Sequence, residues 1–439
     1  MDPFREHERK CRRLAAEIAA ARARGSPVAL AKTTSNLFRH RDRTGAYRLE
    51  VRRFNRVLRI DPERMYAEVE GMTTYEDLVD ATLPFGLLPA VVPQLKTITI
   101  GGAVSGLGIE SSSFRYGLVH ETVEEMEILL ADGTVAVCSA SENRDLFFGF
   151  PNSYGTLGYV LRLRIRLVPA QRFVHLIHER FSDPRAYFER IAELCAPDAA
   201  DFLDGTVFRR DEMYVTTGRF SSAAPYVSDY TWMRIYYQSI PRKKDDWLTA
   251  KAYIWRWDTD WFWCSKHFHV QKPAVRLLAK WGLNSRTYQR IMRLAHRLMP
   301  AADGAESVIQ DVDIPVANAA QFLEFLFAEI GIAPVWICPF QACDPSVKYD
   351  LCPLDANTLY INFGFWDVVP STHEPGHFNR KVERKARELG GIKGLYSTAY
   401  YDEETFWKIY DRARYHELKR KYDAGGVLRD LYSKCVARQ

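Results

Sequence analysis

The run from Thr97 to Gly117 restricts the possible folds of this chain more than any other segment. Five of its residues are glycines, at positions 101, 102, 106, 108 and 117, and most of the others are small or carry a hydroxyl. Glycine tolerates a positive φ and lets the backbone approach a ligand closely, and successive free N–H groups can hold a pyrophosphate. A Rossmann motif is excluded, because the third glycine or alanine is missing and no βαβ unit with a suitably spaced acidic residue follows. Glycine content alone leaves open a nucleotide-binding loop or a tightly turned loop without a ligand.

The composition is that of a globular protein with more than one domain. The chain has 439 residues, of which 47% are hydrophobic and 26% charged, so it suits two or three domains with a sizeable core. Its eight cysteines are scattered without a CxxC pair, which favours reduced thiols in the cytoplasm. Residues 1–24 predict a helix that lacks the apolar stretch of a signal peptide. The chain contains no apolar run of about 18 residues, so no membrane-spanning helix is predicted.

Helices and strands follow each other in a pattern typical of an α+β fold. Glu121–Ser139 predicts a hairpin that turns at Asp132-Gly133, and the alternating run Tyr159–Val168 predicts a half-exposed strand. We place a domain boundary near Pro169, which ends that strand. Beyond it, the patterns predict strands at 173–181, 213–218, 308–314, 358–363 and 394–400, and helices at 184–195, 316–330, 378–389 and 403–422.

Collinear motifs on both sides of the glycine-rich run resemble those of a flavoprotein superfamily. They include Gly71-Met-Thr-Thr-Tyr-Glu-Asp-Leu78, Thr99-Ile-Gly-Gly102, Leu130-Ala-Asp-Gly133 and Gly155-Thr-Leu-Gly158. In this order they resemble the PCMH-type FAD-binding domain of the vanillyl-alcohol-oxidase superfamily, over about residues 28–170. The resemblance implies an N-terminal helix at 1–24 and a two-part FAD-binding domain at 25–170. It further implies an α+β substrate or cap domain at 171–395, with an antiparallel sheet covered by helices, and a C-terminal strand and helix at 396–439 packed near the flavin.

The same resemblance implies which residues hold FAD. Lys32–Leu37 would form the first pyrophosphate loop, and the glycine-rich run would line the second loop and the flavin. Many members of the superfamily attach FAD covalently to a histidine in the first loop or a cysteine in the second. This chain has neither at those places, so FAD is expected to bind without a covalent link. The implied cofactor-binding residues are Lys32, Thr33, Thr34, Ser35, Asn36, Leu37, Gly101, Gly102, Ser105, Gly106, Gly108, Ile109, Ser111, Ser112, Ser113, Gly117, Gly155, Gly158 and Val160.

Two groups of enzymes share further motifs with this chain. Val335-Trp-Ile-Cys-Pro-Phe340 and Glu404-Thr-Phe-Trp407 resemble segments of the delta-24 sterol reductases, which reduce an isolated side-chain double bond with FAD and NADPH. Leu30–Arg39 and Gly101–Glu110 resemble soluble bacterial flavoproteins paired with a SAM-dependent lipid methyltransferase. Those proteins reduce a 10-methylene group on a phospholipid acyl chain to a 10-methyl branch. Because the membrane anchor of the sterol enzymes is not found here, we expect the bacterial reaction first and the sterol reaction as the alternative.

Saturation of an isolated alkene needs a proton donor beside the flavin, because no carbonyl group prepares the double bond for hydride addition. Glu110 is the first candidate, since burial against the flavin would raise its pKa. Tyr396 and Tyr400 are the next candidates, on a late predicted strand followed by a helix that would face the flavin. A glutamate that only bonds backbone amides, or tyrosines that only pack, would be the structural alternatives.

Residues 231–300 combine aromatic and basic side chains. They hold seven of the ten tryptophans, with 14 Lys or Arg against 4 Asp or Glu, a local net charge of +10. Indole rings favour the bilayer interface and cations are attracted to anionic headgroups. We therefore expect a cap that docks peripherally on an anionic membrane, at its inner face, where a lipid substrate enters. A core of aromatic rings beneath a solvated basic surface is the alternative.

Several other site types remain open or are disfavoured. Nucleic-acid binding is not expected beside a flavin domain. His267/His269 and His373/His377 lack the spacing and the carboxylate partner of a metal site, so no metal is expected. An FAD-dependent oxidase and a partner subunit of the lipid methyltransferase stay as alternative functions. NADPH is the expected reductant, although the sequence shows no second dinucleotide fingerprint, so NADPH would have to visit the flavin in turn with the lipid.

Overall fold

Two β-sheets follow each other along the chain, one before and one after residue 170. The computed structural model describes residues 2–32, 45–298 and 304–437. In the first part, β3, β4, β8, β6 and β7 form one antiparallel sheet in that order, β5 pairs with β8, and β1 and β2 form a separate parallel pair. These strands are β1 (Val28–Ala31), β2 (Tyr47–Glu50), β3 (Val57–Asp61), β4 (Tyr66–Glu70), β5 (Leu87–Pro89), β6 (Val123–Leu129), β7 (Val135–Ser139) and β8 (Tyr159–Pro169).

Five helices accompany the first sheet: α1 (Pro3–Ala23), α2 (Tyr75–Thr82), α3 (Ile100–Ser105), α4 (Ser113–Tyr116) and α5 (Arg144–Gly149). The long helix α1 begins where the Asp2 carboxylate accepts a hydrogen bond from the Phe4 amide, with a proline in its first turn. Its Leu14 and Ile18 are fully buried in a cluster that includes Leu49. The N-terminal helix predicted from the sequence is thus a packed part of the first half.

A buried charge network fixes α1 to β4 and β6. The His7 ring lies 2.8 Å from Glu70 Oε1 and 2.9 Å from Glu127 Oε2, and Lys10 also pairs with Glu70. Burial lowers the pKa of His7, but hydrogen bonds with Cys11, Glu127 and Glu70 outweigh it and raise that pKa to about 11. His7, Cys11 and Glu127 bring potential metal-ligand atoms within 4.8 Å of one another. Both ring nitrogens of His7 already face carboxylates, so we interpret the cluster as an ion-paired network.

The second half is built on one eight-stranded antiparallel sheet, in the order β12-β9-β11-β10-β14-β15-β13-β16. Its strands are β9 (Phe173–Phe181), β10 (Phe202–Arg209), β11 (Glu212–Ser221), β12 (Asp245–Thr249), β13 (Ala305–Pro315), β14 (Val335–Phe340), β15 (Tyr360–Pro370) and β16 (Ile392–Lys393). The helices are α6 (Pro184–Leu194), α7 (Tyr236–Ser239), α8 (Ala250–Ile254), α9 (Pro273–Leu278), α10 (Ser285–Leu298), α11 (Val316–Phe325), α12 (His377–Glu388), α13 (Glu403–Ile409), α14 (Arg412–Tyr422) and α15 (Leu431–Cys435).

The two faces of this sheet have different partners. Helices α6, α11 and α12 cover one face, where Tyr187, Phe322 and Val382 share a core with Val215 and Phe363 of the sheet. The other face packs against the aromatic segment, residues 231–300, and through it against the core of the first half. The α+β fold expected from the sequence, an FAD-binding-type first half followed by an antiparallel sheet covered by helices, is confirmed.

The aromatic segment is mostly interior. Trp255, Trp257, Trp261 and Trp263 are all at most 6% exposed, because they fill the space between the second sheet and the first half. These four tryptophans therefore belong to an aromatic core, which was the alternative interpretation, and they do not form a surface that docks on a membrane. Trp281 is the opposite case, with 90% of its surface exposed.

Several elements confirm the sequence pattern and others correct it. The hairpin β6–β7 and the strand β8 form as predicted, but Arg162 on the presumed solvent face of β8 is partly buried and pairs with Glu68, Glu125 and Glu127. The predicted helix 403–422 is two helices, because Asp411 caps a new helix by accepting from the Arg414 amide.

The C-terminal strand predicted over 394–400, which would open the segment 396–439, is wrong. Residues 396–437 form helices and loops, and the sheet ends at Lys393. Side chains replace the strand partners here: Lys393 donates to the Thr398 carbonyl, and the Tyr400 amide donates to Glu383 at 3.0 Å. In the described part of the chain, none of the helices combines the length and the apolar character needed to cross a bilayer.

Candidate active site

One cavity of about 460 Å³ runs between the first half of the chain and the second sheet. Its walls come from both sides of the boundary near residue 170. Its lining has three zones: basic side chains, glycine backbone, and aromatic rings with two carboxyl groups.

The middle of the cavity is a contact among three backbone segments. The Gly101 amide donates to the Gly71 carbonyl at 2.9 Å, and the Gly71 amide donates to Leu161 of β8 at 2.9 Å. A Cβ on Gly71 would lie 2.2 Å from the Val160 carbonyl oxygen, and one on Gly101 would lie 2.8 Å from the Gly71 oxygen. Only glycine permits this approach, which brings the start of α3, the end of β4 and β8 to one wall of the cavity.

A second loop completes this wall. The Tyr154 amide donates to the Ser105 carbonyl at 3.0 Å, and the Tyr154 hydroxyl donates to the Gly106 carbonyl at 3.3 Å. Gly155 follows with φ +75°, a conformation that glycine adopts without strain. The loop that holds Gly155 and Gly158 is thereby joined to the glycine-rich run.

Basic side chains line one end of the cavity. Lys32, Arg48, Arg429 and Lys434 contribute to it, and the Lys434 ammonium lies 3.4 Å from the Gly155 carbonyl oxygen. Two of these cations come from the start of the chain and two from its last residues. Cations beside glycine backbone suit a doubly charged diphosphate, so the residues present fit the diphosphate and ribose of FAD.

The structure places most, but not all, of the sequence-derived cofactor residues on this cavity. Ser111, Ser112, Ser113 and Gly117 lie away from it, which corrects their expected position. The serine hydroxyls are engaged elsewhere: Ser111 contacts the Tyr253 hydroxyl at 2.9 Å and Ser112 donates to the Ala90 carbonyl at 2.7 Å. Thr33, Thr34, Ser35, Asn36 and Leu37 fall outside the described residues. The residues that do line the cavity are Lys32, Gly101, Gly102, Ser105, Gly106, Gly108, Ile109, Gly155, Gly158 and Val160.

Glu110 ends the glycine-rich wall as a buried carboxyl group, only 2% exposed. Its Oε1 accepts a hydrogen bond from Gln94 and lies 3.5 Å from Arg256 Nη2. Burial raises the pKa of Glu110 to about 7, although Arg256 and Gln94 oppose the shift. At neutral pH the carboxyl is therefore divided between its protonated and ionised forms, as a proton donor requires.

Asp204 explains why the nearby arginine does not keep Glu110 ionised. Arg256 Nη2 lies 2.6 Å from Asp204 Oδ2, closer than to Glu110, and Trp336 Nε1 donates to the same oxygen at 3.2 Å. The buried arginine is thus already paired with a carboxylate. Its attraction for a charge on Glu110 is correspondingly weaker.

A second carboxyl group in the cavity is Asp311 of β13. Burial raises its pKa to about 7, while a hydrogen bond with Tyr396 lowers it. Trp366 Nε1 donates to the Tyr396 hydroxyl at 2.9 Å, and all three side chains line the cavity. Sequence analysis missed Asp311. The sequence of β13 contains a signal for it. Val308, Val312 and Ile314 face the helices, and Asp311 lies on the opposite face of the strand.

The two candidate tyrosines have different positions. Tyr396 lines the cavity, whereas Tyr400 is not among the cavity residues. The Tyr400 ring packs over Gly376 and lies 5.5 Å from the Arg380 guanidinium. Because residues 394–400 are not a strand, the two side chains do not share a face, and only Tyr396 is placed where a proton could reach a ligand in the cavity.

Aromatic side chains form the third zone of the cavity. Trp261, Phe262, Trp336 and Trp366 line it, and the rings of Phe262 and Trp366 are 4.5 Å apart. Their surroundings are apolar and largely buried. This zone suits an apolar group and excludes water from it.

Comparisons with known proteins agree with this geometry. Residues 10–139 match the family described as FAD binding domain. The chain is 27% identical over 392 residues to the Delta(24)-sterol reductase of Homo sapiens, covering 86% of this chain and 75% of that protein. It is 26% identical over 445 residues to the Delta(24)-sterol reductase of Pisum sativum, with 89% and 76% covered. A shorter match of 156 residues, 30% identical, joins it to Cytokinin dehydrogenase 3 of Arabidopsis thaliana, with 35% and 29% covered.

The chain thus carries an FAD-binding domain of the PCMH type. It is an oxidoreductase and flavoprotein related at a distance to the Delta(24)-sterol reductases. The basic and glycine-lined zones of the cavity are the part that fits the cofactor, and the aromatic zone with its two carboxyl groups remains for a substrate.

Proposed function

We propose that this protein saturates an isolated carbon–carbon double bond in a lipid, and that its substrate is a 10-methylene group on a phospholipid acyl chain. The observation that carries the proposal is Glu110, a buried carboxyl group with its pKa raised to about 7, which lines the same cavity as the glycine-rich wall and the aromatic rings. A proton donor beside an apolar compartment is what this reaction needs. FAD is proposed to bind without a covalent link, and NADPH to supply the electrons.

The chemistry assigns a role to each zone of the cavity. Bound FAD, when reduced, supplies the hydride from N5 of its ring. Glu110 gives its proton to the terminal methylene carbon, so that positive charge develops on the more substituted carbon, which then accepts the hydride. The product gains one proton and one hydride and becomes a methyl branch. Trp261, Phe262, Trp336 and Trp366 hold the acyl chain and keep water from the developing cation.

Support for an alkene substrate comes from two sides. The Delta(24)-sterol reductases match most of the chain, and their printed name denotes reduction at a lipid double bond. The cavity contains carboxyl groups of raised pKa, and their protonated form can donate a proton to an alkene. Reduction of a sterol side chain is the second candidate, because the named relatives favour it directly.

An anaerobic titration tests the proposal. The flavin is first reduced with NADPH or, if NADPH fails, by light, and each candidate lipid is then added. We expect a 10-methylene phospholipid to restore the yellow absorbance of oxidised FAD, with a 10-methyl product seen by mass spectrometry. Restoration by a delta-24 sterol alone would favour the second candidate. Reduction of the flavin by a lipid, followed by reoxidation in air, would contradict the proposal and indicate an oxidase.

A cellular experiment complements the titration. Lipids are analysed from cells that express a methylene-forming lipid methyltransferase with wild-type protein, with the Glu110→Gln variant, or with neither. We expect 10-methyl chains only with the wild type and 10-methylene chains in the other two cultures. If the Glu110→Gln variant also restores 10-methyl chains, Glu110 is not the proton donor, and the proposal loses the observation that carries it.

A further inference from the structure

The largest exposed apolar side chains of the described residues cluster on one short stretch. Leu278 is 87% exposed, Trp281 90% and Leu277 55%, and all belong to α9 or the turn that follows it. Val275, 40% exposed, belongs to the same helix. We call Val275, Leu277, Leu278 and Trp281 the α9 surface. Single exposed apolar residues are ordinary, but a contiguous group on a soluble face marks an interaction site.

The α9 surface is held in place from below. Arg276, on the opposite side of the helix, is 1% exposed and forms a two-pronged ion pair with Asp260, at 2.6 and 2.8 Å. Trp232 Nε1 donates to the Arg276 carbonyl at 3.1 Å. The apolar side chains therefore stand out from a firmly anchored helix, and their exposure does not come from a frayed end.

The chain segment around the α9 surface carries one sign of charge. From Cys264 to Leu298 the sequence has eight lysine or arginine residues and no aspartate or glutamate. Arg286 pairs with Glu76 and Lys266 with Asp367. Lys272, Lys280 and Arg290 are exposed, and the Lys280 ammonium lies over the rings of Trp232 and Trp281, at 4.5 and 5.8 Å from their centres. Apolar side chains with an indole, surrounded by cations, match the headgroup region of an anionic bilayer.

We propose that the α9 surface docks the protein on an anionic phospholipid bilayer. The leucines and Trp281 enter the headgroup region, and the surrounding lysines and arginines contact the lipid phosphates. The sequence pattern predicted such a surface across the whole aromatic segment; the tertiary structure restricts it to α9, since the tryptophans at 255–263 are buried.

The α9 surface is also connected to the cavity. Trp261, Phe262 and Cys264, which precede the α9 surface in the chain, line the cavity. Helix α10, which follows the surface, is fastened beside that zone by Ser285, which donates to Asp258 at 2.5 Å, and by Gln289, which donates to Thr97 at 2.7 Å. The inference that an acyl chain enters the protein at the α9 surface rests on the proposed function. The inference that this surface binds a membrane does not.

Co-sedimentation of the FAD-loaded full chain with vesicles tests the inference. The vesicles are phosphatidylcholine alone, or phosphatidylcholine with 30% phosphatidylglycerol, at low salt. We expect wild-type protein to bind the mixed vesicles at least tenfold more tightly than neutral ones, since each cation near an anionic surface contributes roughly fivefold. The double variant Leu278→Ser/Trp281→Ser should lose at least tenfold in binding, and Lys272→Glu/Lys280→Glu should lose the preference for phosphatidylglycerol.

Phe85→Ser is the matched control, because Phe85 is 54% exposed but belongs to the first half of the chain. It should bind vesicles as the wild type does, and retained flavin absorbance reports that each variant is folded. Absence of wild-type binding to the mixed vesicles would overturn the inference. Unchanged binding by the Leu278→Ser/Trp281→Ser variant would overturn it too. A concentration-dependent dimer in light scattering, lost in that variant, would assign the surface to a second copy of the chain instead.

The docking surface and the proposed function can be tested independently of each other. Activity is measured with the same alkene dispersed in detergent, where docking is not needed. Leu278→Ser/Trp281→Ser should keep that activity while losing activity on vesicles by at least tenfold. Vesicle binding without alkene reduction in either form would leave the docking surface standing and remove the proposed function.

Discussion

Two carboxyl groups share the cavity, and their neighbours distinguish them. Glu110 is held by Gln94 next to an arginine that Asp204 already neutralises, whereas Asp311 bonds Tyr396 beside Trp366. Desolvation raises the pKa of each to about 7. Glu110 belongs to the glycine-rich wall that fits the flavin, so it is the acid assigned to the alkene.

Substituting each carboxyl group separately tests that assignment. Glu110→Gln keeps the shape and the Gln94 contact but cannot release a proton, so alkene reduction should fall at least about 100-fold. Asp311→Asn should cost less than about tenfold, because Asp311 would act only by positioning Tyr396. Both variants are measured by single-turnover reoxidation of the reduced flavin. Flavin absorbance should stay near the wild-type level in both variants. If Asp311→Asn lost more alkene reduction than Glu110→Gln, Asp311 would be the proton donor and Glu110 the positioning residue.

The pH dependence of the alkene step follows from the raised pKa of Glu110. The ordinary pKa of a glutamate is 4.5 and burial raises that of Glu110 to about 7. The protonated form is the donor, so the rate should be constant below about pH 6 and fall about tenfold per pH unit well above 7. Stopped-flow reoxidation from pH 5.5 to 9 measures this. Asp311→Asn should keep this decline, and a decline that survives unchanged in Glu110→Gln would exclude Glu110 as its cause.

At the level of elements, the cavity depends on the close contact of β4, α3 and β8. The glycines at 71 and 101 occur where these segments touch through their backbones. Helix α2 lies between these two glycines in the chain and begins at Thr74, whose hydroxyl accepts from the Asp77 amide at 3.2 Å. The wall that fits the cofactor is therefore made by packing of backbone rather than by long side chains.

Gly71→Ala tests the importance of this contact. The new Cβ would lie 2.2 Å from the Val160 carbonyl oxygen, and a backbone atom cannot move away as a flexible side chain can. We expect about 1–3 kcal/mol lower unfolding free energy and a reduced flavin content, measured by urea unfolding and by absorbance. Gly282→Ala is the control, since its Cβ would come no closer than 3.6 Å to another atom. A Gly71→Ala variant as stable and as yellow as Gly282→Ala would contradict this account of the cavity wall.

At the level of the whole molecule, the cavity lies between the two halves of the chain. The cations that fit the cofactor are Lys32, Arg48, Arg429 and Lys434, and the second sheet contributes Trp336 and Trp366 to the aromatic zone. The core that contains the flavin-domain residues continues into the aromatic segment. A ligand in the cavity should therefore stabilise both halves together.

Thermal unfolding with and without FAD tests this coupling. All ten tryptophans follow residue 231, so indole fluorescence reports on the second half, while flavin release reports on the first. At a free FAD concentration about 100-fold above Kd, the stabilisation should be about 2.7 kcal/mol, and both signals should shift upward with one midpoint. If FAD moved only the flavin signal and left the indole transition unchanged, the two halves would unfold independently.

Much of the architecture was determined by local sequence. The hairpin at Asp132-Gly133 and the alternating strand before Pro169 depend on neighbouring residues, and both form as predicted. The glycine-rich run likewise identified the cofactor wall, because a requirement for glycine is a property of single positions. At 394–400 the local pattern predicted a strand, but none forms. Backbone groups there bond to the side chains of Lys393 and Glu383 in place of a neighbouring strand.

The tertiary structure alone decided which side chains meet. It joined Asp311 to Tyr396, moved Tyr400 away, paired Arg256 with Asp204, and placed four tryptophans inside while leaving Trp281 outside. A pKa near 7 and an exposed apolar surface both depend on neighbours that are distant along the chain. The sequence therefore determined that a flavin cavity would form and roughly where. Which acid faces it, and which surface faces a membrane, depend on burial, and burial is a property of the folded whole.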